Sequence, residues 1–180
     1  MTLDNTQDEC GIWNREGGCL LPLPLIEALT EYHRKTIPSE YQDIMGHMNI
    51  RWYFDLFATT GRIFFAAHGL DEGYFKSGDF GVFTLKQFIQ YFAEVRVGQT
   101  VAIHTRLIGR SEKRFYFMNF MINETTNQLA ATFEALITHA DLRIRRSAPM
   151  PVQIAENFDA TLARDEALDW AAPICGAIRL

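Results

Sequence analysis

The sequence predicts an α+β protein in which an antiparallel sheet wraps around one long buried helix. Two features carry this reading. Residues 50–68 place Trp52, Tyr53, Phe54, Leu56, Phe57, Ile63, Phe64 and Phe65 over most of a helical circumference. A helix apolar all round is a buried helix, and this one spans roughly 28 Å at the α-helical rise. After it come segments that alternate as half-buried strands do, joined by short polar turns that impose antiparallel pairing. With 180 residues, one domain is expected. Its core covers residues 32–142, with an N-terminal extension over 1–31 and a C-terminal tail over 143–180.

Taken in order, residues 1–18 are polar and acidic and predict a loosely attached segment. They lack the basic and apolar regions of a secretory leader. Residues 20–29 mix prolines with leucines and start a short helix at Pro24, a residue suited to a first turn. Residues 32–42 read as a first strand, and Pro38, which interrupts them, suits an edge position or a bulge. Residues 43–49, Asp-Ile-Met-Gly-His-Met-Asn, form a polar loop. Asn49 is a good N-cap, so the long helix starts at Ile50. Gly46 permits a tight turn with positive φ. Residues 71–76 add a short extra turn.

Four strands are then expected in hairpin succession. In the first, Phe83, Leu85, Ile89 and Tyr91 share a face. Gly98 and Gln99 turn the chain into Val101, Ile103, Thr105 and Leu107. Residues 109–113 turn it again into 115–122, apolar on both faces and therefore central. Residues 123–128 turn it into Ala131, Phe133, Ala135 and Ile137. One or two short helices over 153–167 and an apolar end over 173–180 complete the chain.

Composition narrows the function. A net charge of −5 argues against a non-specific nucleic-acid binder. The 48% hydrophobic and 22% charged content is that of a soluble globular protein. The apolar run 19–26 is too short, and too broken by Pro22 and Pro24, to span a bilayer. Cys10, Cys19 and Cys175 show no zinc or redox spacing and read as free thiols of a reducing, cytoplasmic compartment. No ligand set for a metal, no catalytic Ser or Cys arrangement and no glycine-rich nucleotide loop is present.

The loop 43–49 sets a carboxylate beside the free N–H groups of a helix N-terminus, an arrangement that can polarise a carbonyl. The pattern Asp43-x-x-Gly46-His47-x-Asn49, followed by Tyr53, Phe57 and Gly69-Leu70, resembles the signature of hotdog-fold acyl-CoA thioesterases of the 4-hydroxybenzoyl-CoA thioesterase-like group. Phe83-Thr84-Leu85, Gly98 with Val101, Ile103 and Thr105, and Arg146-Ser147-Ala148-Pro149 fit the same group. Gly109-x-x-x-Lys113-Arg114, His139-x-Asp141-Leu142 and Pro173-x-x-Gly176-x-Ile178 are similar to the thioesterases of carnitine and betaine breakdown. One departure stands out. The family often places an arginine at the position of Gly61, whereas here Arg62 follows one step later.

The resemblance implies hydrolysis of an acyl-CoA thioester by a homodimer or a dimer of dimers, with sites at the subunit interface. No cofactor is implied beyond the coenzyme A of the substrate, and neither nucleic acid nor membrane is a partner. It puts the catalytic carboxylate, as nucleophile or general base, at Asp43. His47 either supports it or shapes the loop. Gly46, Asn49 and Ile50 build the helix N-terminus that holds the oxyanion. Trp52, Tyr53, Phe83 and Tyr91 are candidates for the acyl pocket, where aromatic faces would attract a quaternary ammonium. Lys113, Arg114, Arg143, Arg145 and Arg146 are candidates for the phosphates of coenzyme A. Plain alternatives accompany each: a turn-capping Asp43, aromatic core packing, a solvated basic surface. Hydratases of the same fold set Asn and Pro between their Asp and His, where this chain has Ile44, Met45 and Gly46. A hydratase or dehydratase and a non-catalytic acyl-CoA-binding protein remain the rival functions.

Overall fold

The structure is a computed structural model that describes residues 10–13 and 19–180, with side chains from Leu21 onward. The elements run β1 (Cys10–Trp13), β2 (Cys19–Pro22), α1 (Leu23–Glu27), β3 (Glu31–Thr36), α2 (Ile50–Ala67), α3 (Glu72–Phe75), β4 (Phe80–Tyr91), β5 (Thr100–Arg110), β6 (Arg114–Asn123), β7 (Gln128–Asp141), β8 (Arg146–Ser147) and α4 (Val152–Glu166). The loose segment expected over 1–18 lies outside the described residues except for β1, which pairs antiparallel with β2. The main sheet has the order β3-β5-β6-β7-β4, with β8 beside β7.

This order corrects one expectation. β5, β6 and β7 are hairpin neighbours, but β4 and β5 are not. β4 lies beside β7 at one edge, and β3 pairs with β5 at the other, with Glu31 opposite His104 and Thr36 opposite Thr100. The Gly98 turn, at φ +83°, ends a crossing segment over residues 92–99 instead of a hairpin. Pro38 follows β3 and opens a 3-10 turn at Ser39–Tyr41.

Two compact units divide the packing: Met1–Thr60 with Gln90–Thr105 and Asn119–Thr132, and Gly61–Ile89 with Arg106–Met118 and Phe133–Leu180. In the first, Tyr53, Leu56 and Phe57 of α2 are buried together with Val95 and Val101. In the second, Phe64 packs on Phe117 at 5.3 Å and on Phe158 at 5.8 Å, and Phe65 meets Phe115 edge-on at 5.2 Å. α4 is a single helix whose buried stripe, Ile154, Phe158, Thr161 and Asp165, has the helical period. Its start after Pro151 is the position where a missing N–H costs least. The other face of β6 and β7 is covered by the tail. Tyr116, Leu136 and Ile178 cluster there, Tyr116 donates to Glu134, and the Cys175 N–H donates to Glu134 Oε1 at 2.7 Å. β6 is therefore apolar on both faces for a concrete reason.

α2 differs from the all-round burial its composition suggested. Its buried residues form one stripe through Tyr53, Leu56, Phe57, Thr60 and Phe64, while Ile50, Phe54 and Ile63 stay exposed. The stripe closes at His68, whose burial favours its neutral form. Nδ1 donates to the Phe64 carbonyl at 2.7 Å, and Nε2 accepts from Thr161 Oγ1 at 2.8 Å. Burial holds its pKa below 6.5; the Phe64 carbonyl and Asp165 oppose this and Arg164 reinforces it. A depressed folded pKa means that the unfolded chain takes up a proton first as the pH falls. His68 therefore leaves stability untouched above pH 6.5 and reduces it progressively below. The expected result is a urea midpoint that drops between pH 7.5 and pH 5.5, with a smaller drop in His68→Asn. His33, also depressed by burial, contributes a slope of the same sign to both proteins, so equal slopes would remove His68 from this account.

Candidate active site

The loop before α2 is built from local backbone bonds. Gln42 and Met48 form an antiparallel bridge, the Asp43 N–H donates to the His47 carbonyl at 2.9 Å, and the Gly46 N–H donates to the Asp43 carbonyl at 3.2 Å. Gly46 sits at φ +89°, a region in which a Cβ is strained. Its N–H is thus engaged in the turn. Asp43 Oδ1 accepts the Met45 N–H at 2.8 Å, while Oδ2 lies 3.5 Å from His47 Nδ1. The Asp43 side chain is 13% exposed, shielded but reachable.

Asn49 caps α2 in two ways. Its Oδ1 accepts the Arg51 N–H at 3.0 Å and its carbonyl accepts the Trp52 N–H at 2.9 Å. Its own N–H donates to the Tyr41 carbonyl at 2.9 Å. Among the described residues nothing accepts the N–H of Ile50, which leaves one first-turn donor open at the positive end of the helix.

Asp43, His47, Asn49, Ile50, Tyr53 and Tyr91 all line a cavity of about 620 Å³, a volume suited to a small-molecule substrate. Met45 and Met48 of the loop also line it, and the rest of its wall, Phe92, Ala93 and Glu94, comes from the crossing segment, which sequence reasoning took for the end of a hairpin. The only cue was the break in strand alternation after Tyr91. The segment is pinned through Val95, which is fully buried; its carbonyl accepts the Met48 N–H at 2.7 Å and its N–H donates to Tyr53 Oη at 3.2 Å.

Two pocket candidates lie elsewhere. Trp52 stacks on Tyr41 at 3.9 Å with Arg51 over its other side at 4.3 Å. One helical step separates it from Tyr53, which turns it about 100° away. Phe83 stands exposed on β4 and is not part of the cavity wall. The basic candidates Lys113, Arg114, Arg143, Arg145 and Arg146 all fall in the second unit, and none lines the cavity. Arg143 is already paired with Asp141 at 2.6 Å, and that arginine holds the Asp141 carboxyl down at about 2. Among the described residues no group of His, Cys, Asp or Glu is arranged to hold a metal, and no helix is long and apolar enough to cross a membrane.

Asp43 and Ile50, whose first-turn N–H is open, line one cavity on an α+β frame of this strand order. The chain belongs to the thioesterase-like superfamily, whose model matches residues 37–158. It is 27% identical to the betainyl-CoA thioesterase of Pseudomonas aeruginosa over 79% of this chain and 89% of that protein. It is 25% identical over 66% of its length to the L-carnitine dehydrogenase/betainyl-CoA thioesterase of Rhizobium meliloti, of which it spans 24%. In structure it resembles a Staphylococcus aureus protein solved in complex with CoA, with a TM-score of 0.76 at 21% identity, over 84% of this chain and 96% of that one.

Proposed function

We propose that the chain hydrolyses an acyl-CoA thioester to the free acid and coenzyme A. The observation that carries this is the shared cavity of the Asp43 carboxylate and the open Ile50 N–H. Asp43 attacks the thioester carbonyl carbon, expelling the coenzyme A thiolate and leaving an anhydride that water cleaves, or it takes the proton of a water that attacks directly; both roles need an accessible carboxylate. The Ile50 N–H stabilises the oxyanion as it develops. His47 orients Asp43, and Asn49 keeps the helix end in place. Tyr53, Tyr91 and Phe92 hold the acyl group. Their faces, with Glu94 beside them, suit a small acyl group bearing a quaternary ammonium, as in the substrate for which the Pseudomonas relative is named. Lys113, Arg114, Arg145 and Arg146 are the candidate contacts for coenzyme A phosphates. A cytoplasmic location fits the free thiol of Cys175.

The test is release of free thiol from short-chain, long-chain, aromatic and betainyl coenzyme A thioesters. Turnover is expected, with betainyl-CoA preferred. No thiol from any of them would end the hydrolase reading.

Two copies are proposed to pair through β4. This strand is 12 residues long and lies at the sheet edge. Phe83, Leu85, Phe88 and Tyr91 on it are all exposed in the single chain. A long apolar edge with unpaired backbone groups invites another strand, and a two-fold pairing of identical edges closes on itself. Sedimentation should give two or four times the chain mass of 20.7 kDa; a monomer at micromolar concentration would dismiss the pairing.

A further inference from the structure

The Tyr53 hydroxyl has a bonding capacity that the acyl-pocket role does not use. Tyr53 is 5% exposed and lines the cavity. Its oxygen accepts the Val95 N–H at 3.2 Å. A phenol also carries one hydrogen to donate, and among the described residues no acceptor takes it. A buried phenol seldom leaves its hydroxyl hydrogen idle. The ring cannot swing away, since Tyr91 packs edge-on against it at 5.1 Å and 87°.

Helix geometry says where that hydrogen can go. Tyr53 is three residues after Ile50, so the two share a face. Helical side chains lean toward the N-terminus and cover the preceding turn. The phenol thus reaches back over the first turn of α2, where the Ile50 N–H is open. Both groups line the same cavity.

Resting on the thioesterase reading, we propose that the Tyr53 hydroxyl is a catalytic residue, a second donor to the thioester carbonyl oxygen beside the Ile50 N–H. The oxyanion then receives one backbone and one side-chain hydrogen bond. No proton leaves Tyr53; the bond shortens as negative charge collects on the substrate oxygen and relaxes when the carbonyl re-forms and the thiolate departs. The Val95 N–H, by donating into the phenol oxygen, polarises the O–H and makes it a better donor. Burial pushes the phenol up to about 12, so the hydrogen stays in place through the neutral range.

The experiment compares the wild-type chain with Tyr53→Phe, and with a chain carrying a fluorinated tyrosine at position 53, on the best thioester of the panel. Tyr53→Phe should lower kcat by about 10²-fold, the range for loss of one oxyanion donor, with KM changed less than about threefold. Tyr53→Phe also leaves the Val95 N–H unpaired, so a rate loss alone would not separate chemistry from packing. The fluorinated tyrosine keeps that bond and ionises at lower pH. Its kcat should fall on an alkaline limb displaced toward neutrality, which a packing role would not produce. An unchanged kcat in folded Tyr53→Phe, or an alkaline limb identical to wild type in the fluorinated chain, overturns the assignment and leaves thioester hydrolysis standing. Absence of thiol release by the wild type overturns both.

Discussion

Asp43→Asn is expected to lower kcat/KM by about 10²- to 10⁴-fold, the span for removing a positioned base or nucleophile. The substitution is informative because it changes little else. Asn retains an oxygen that can accept the Met45 N–H, now received by Asp43 Oδ1 at 2.8 Å. The backbone bonds from Asp43 to His47 and from Gly46 to Asp43 do not involve the side chain. The loop should keep its shape, the helix its cap, and the cavity its volume. What disappears is the negative charge beside His47 and the atom able to attack a carbonyl. Thermal midpoint and sedimentation should match wild type while thiol release collapses. If thiol release persists at the wild-type rate, Asp43 is a turn-forming residue and the chemistry belongs to another group in the cavity.

Phe158→Ala is expected to cost about 3–5 kcal/mol, the range for deleting a large buried aromatic. Phe158 is fully buried. Its ring stacks on His68 at 4.3 Å and 11°, lies near-parallel to Phe115 at 4.6 Å, and meets Phe64 at 5.8 Å. Three rings, two from α2 and its end and one from β6, thus lose their common partner. For a chain of this length, the thermal midpoint should fall by about 10 °C, since each kcal/mol is worth about 2–4 °C. Differential scanning calorimetry reads this directly. A midpoint within about 2 °C of wild type would show that the void is refilled, and would contradict the rigid aromatic packing described above.

The loop before α2 was legible from sequence because its signals are local. Asn49 announces a cap and is one; Gly46 announces positive φ and has it. The central position of β6 was also legible, from apolar residues on both faces. What was not legible depends on distant partners. A turn at Gly98 looks the same whether it ends a hairpin or a crossing segment, and only the pairing of β4 with β7 distinguishes them. For the same reason Phe92, Ala93 and Glu94 were missed as a cavity wall. The α2 pattern was over-read: an apolar residue on a helix can face the core of its own chain or wait for another surface. Composition does not separate Phe57, which is buried, from Phe54, which is not. Trp52 and Tyr53 are adjacent aromatics of similar character, and only the helical rotation between them sends one to Tyr41 and the other into the cavity.

The double attachment of Val95 has an engineering consequence. One hydrogen bond ties it to Met48 of the loop before α2, and the other ties it to Tyr53 of the helix. Lengthening or shortening residues 92–99 therefore shifts the loop and the phenol together, and with them the shape of the cavity between them. The cavity is better reshaped by exchanging side chains at Phe92 and Ala93 at constant chain length. Tyr91, which buttresses the phenol, belongs with the parts to leave alone.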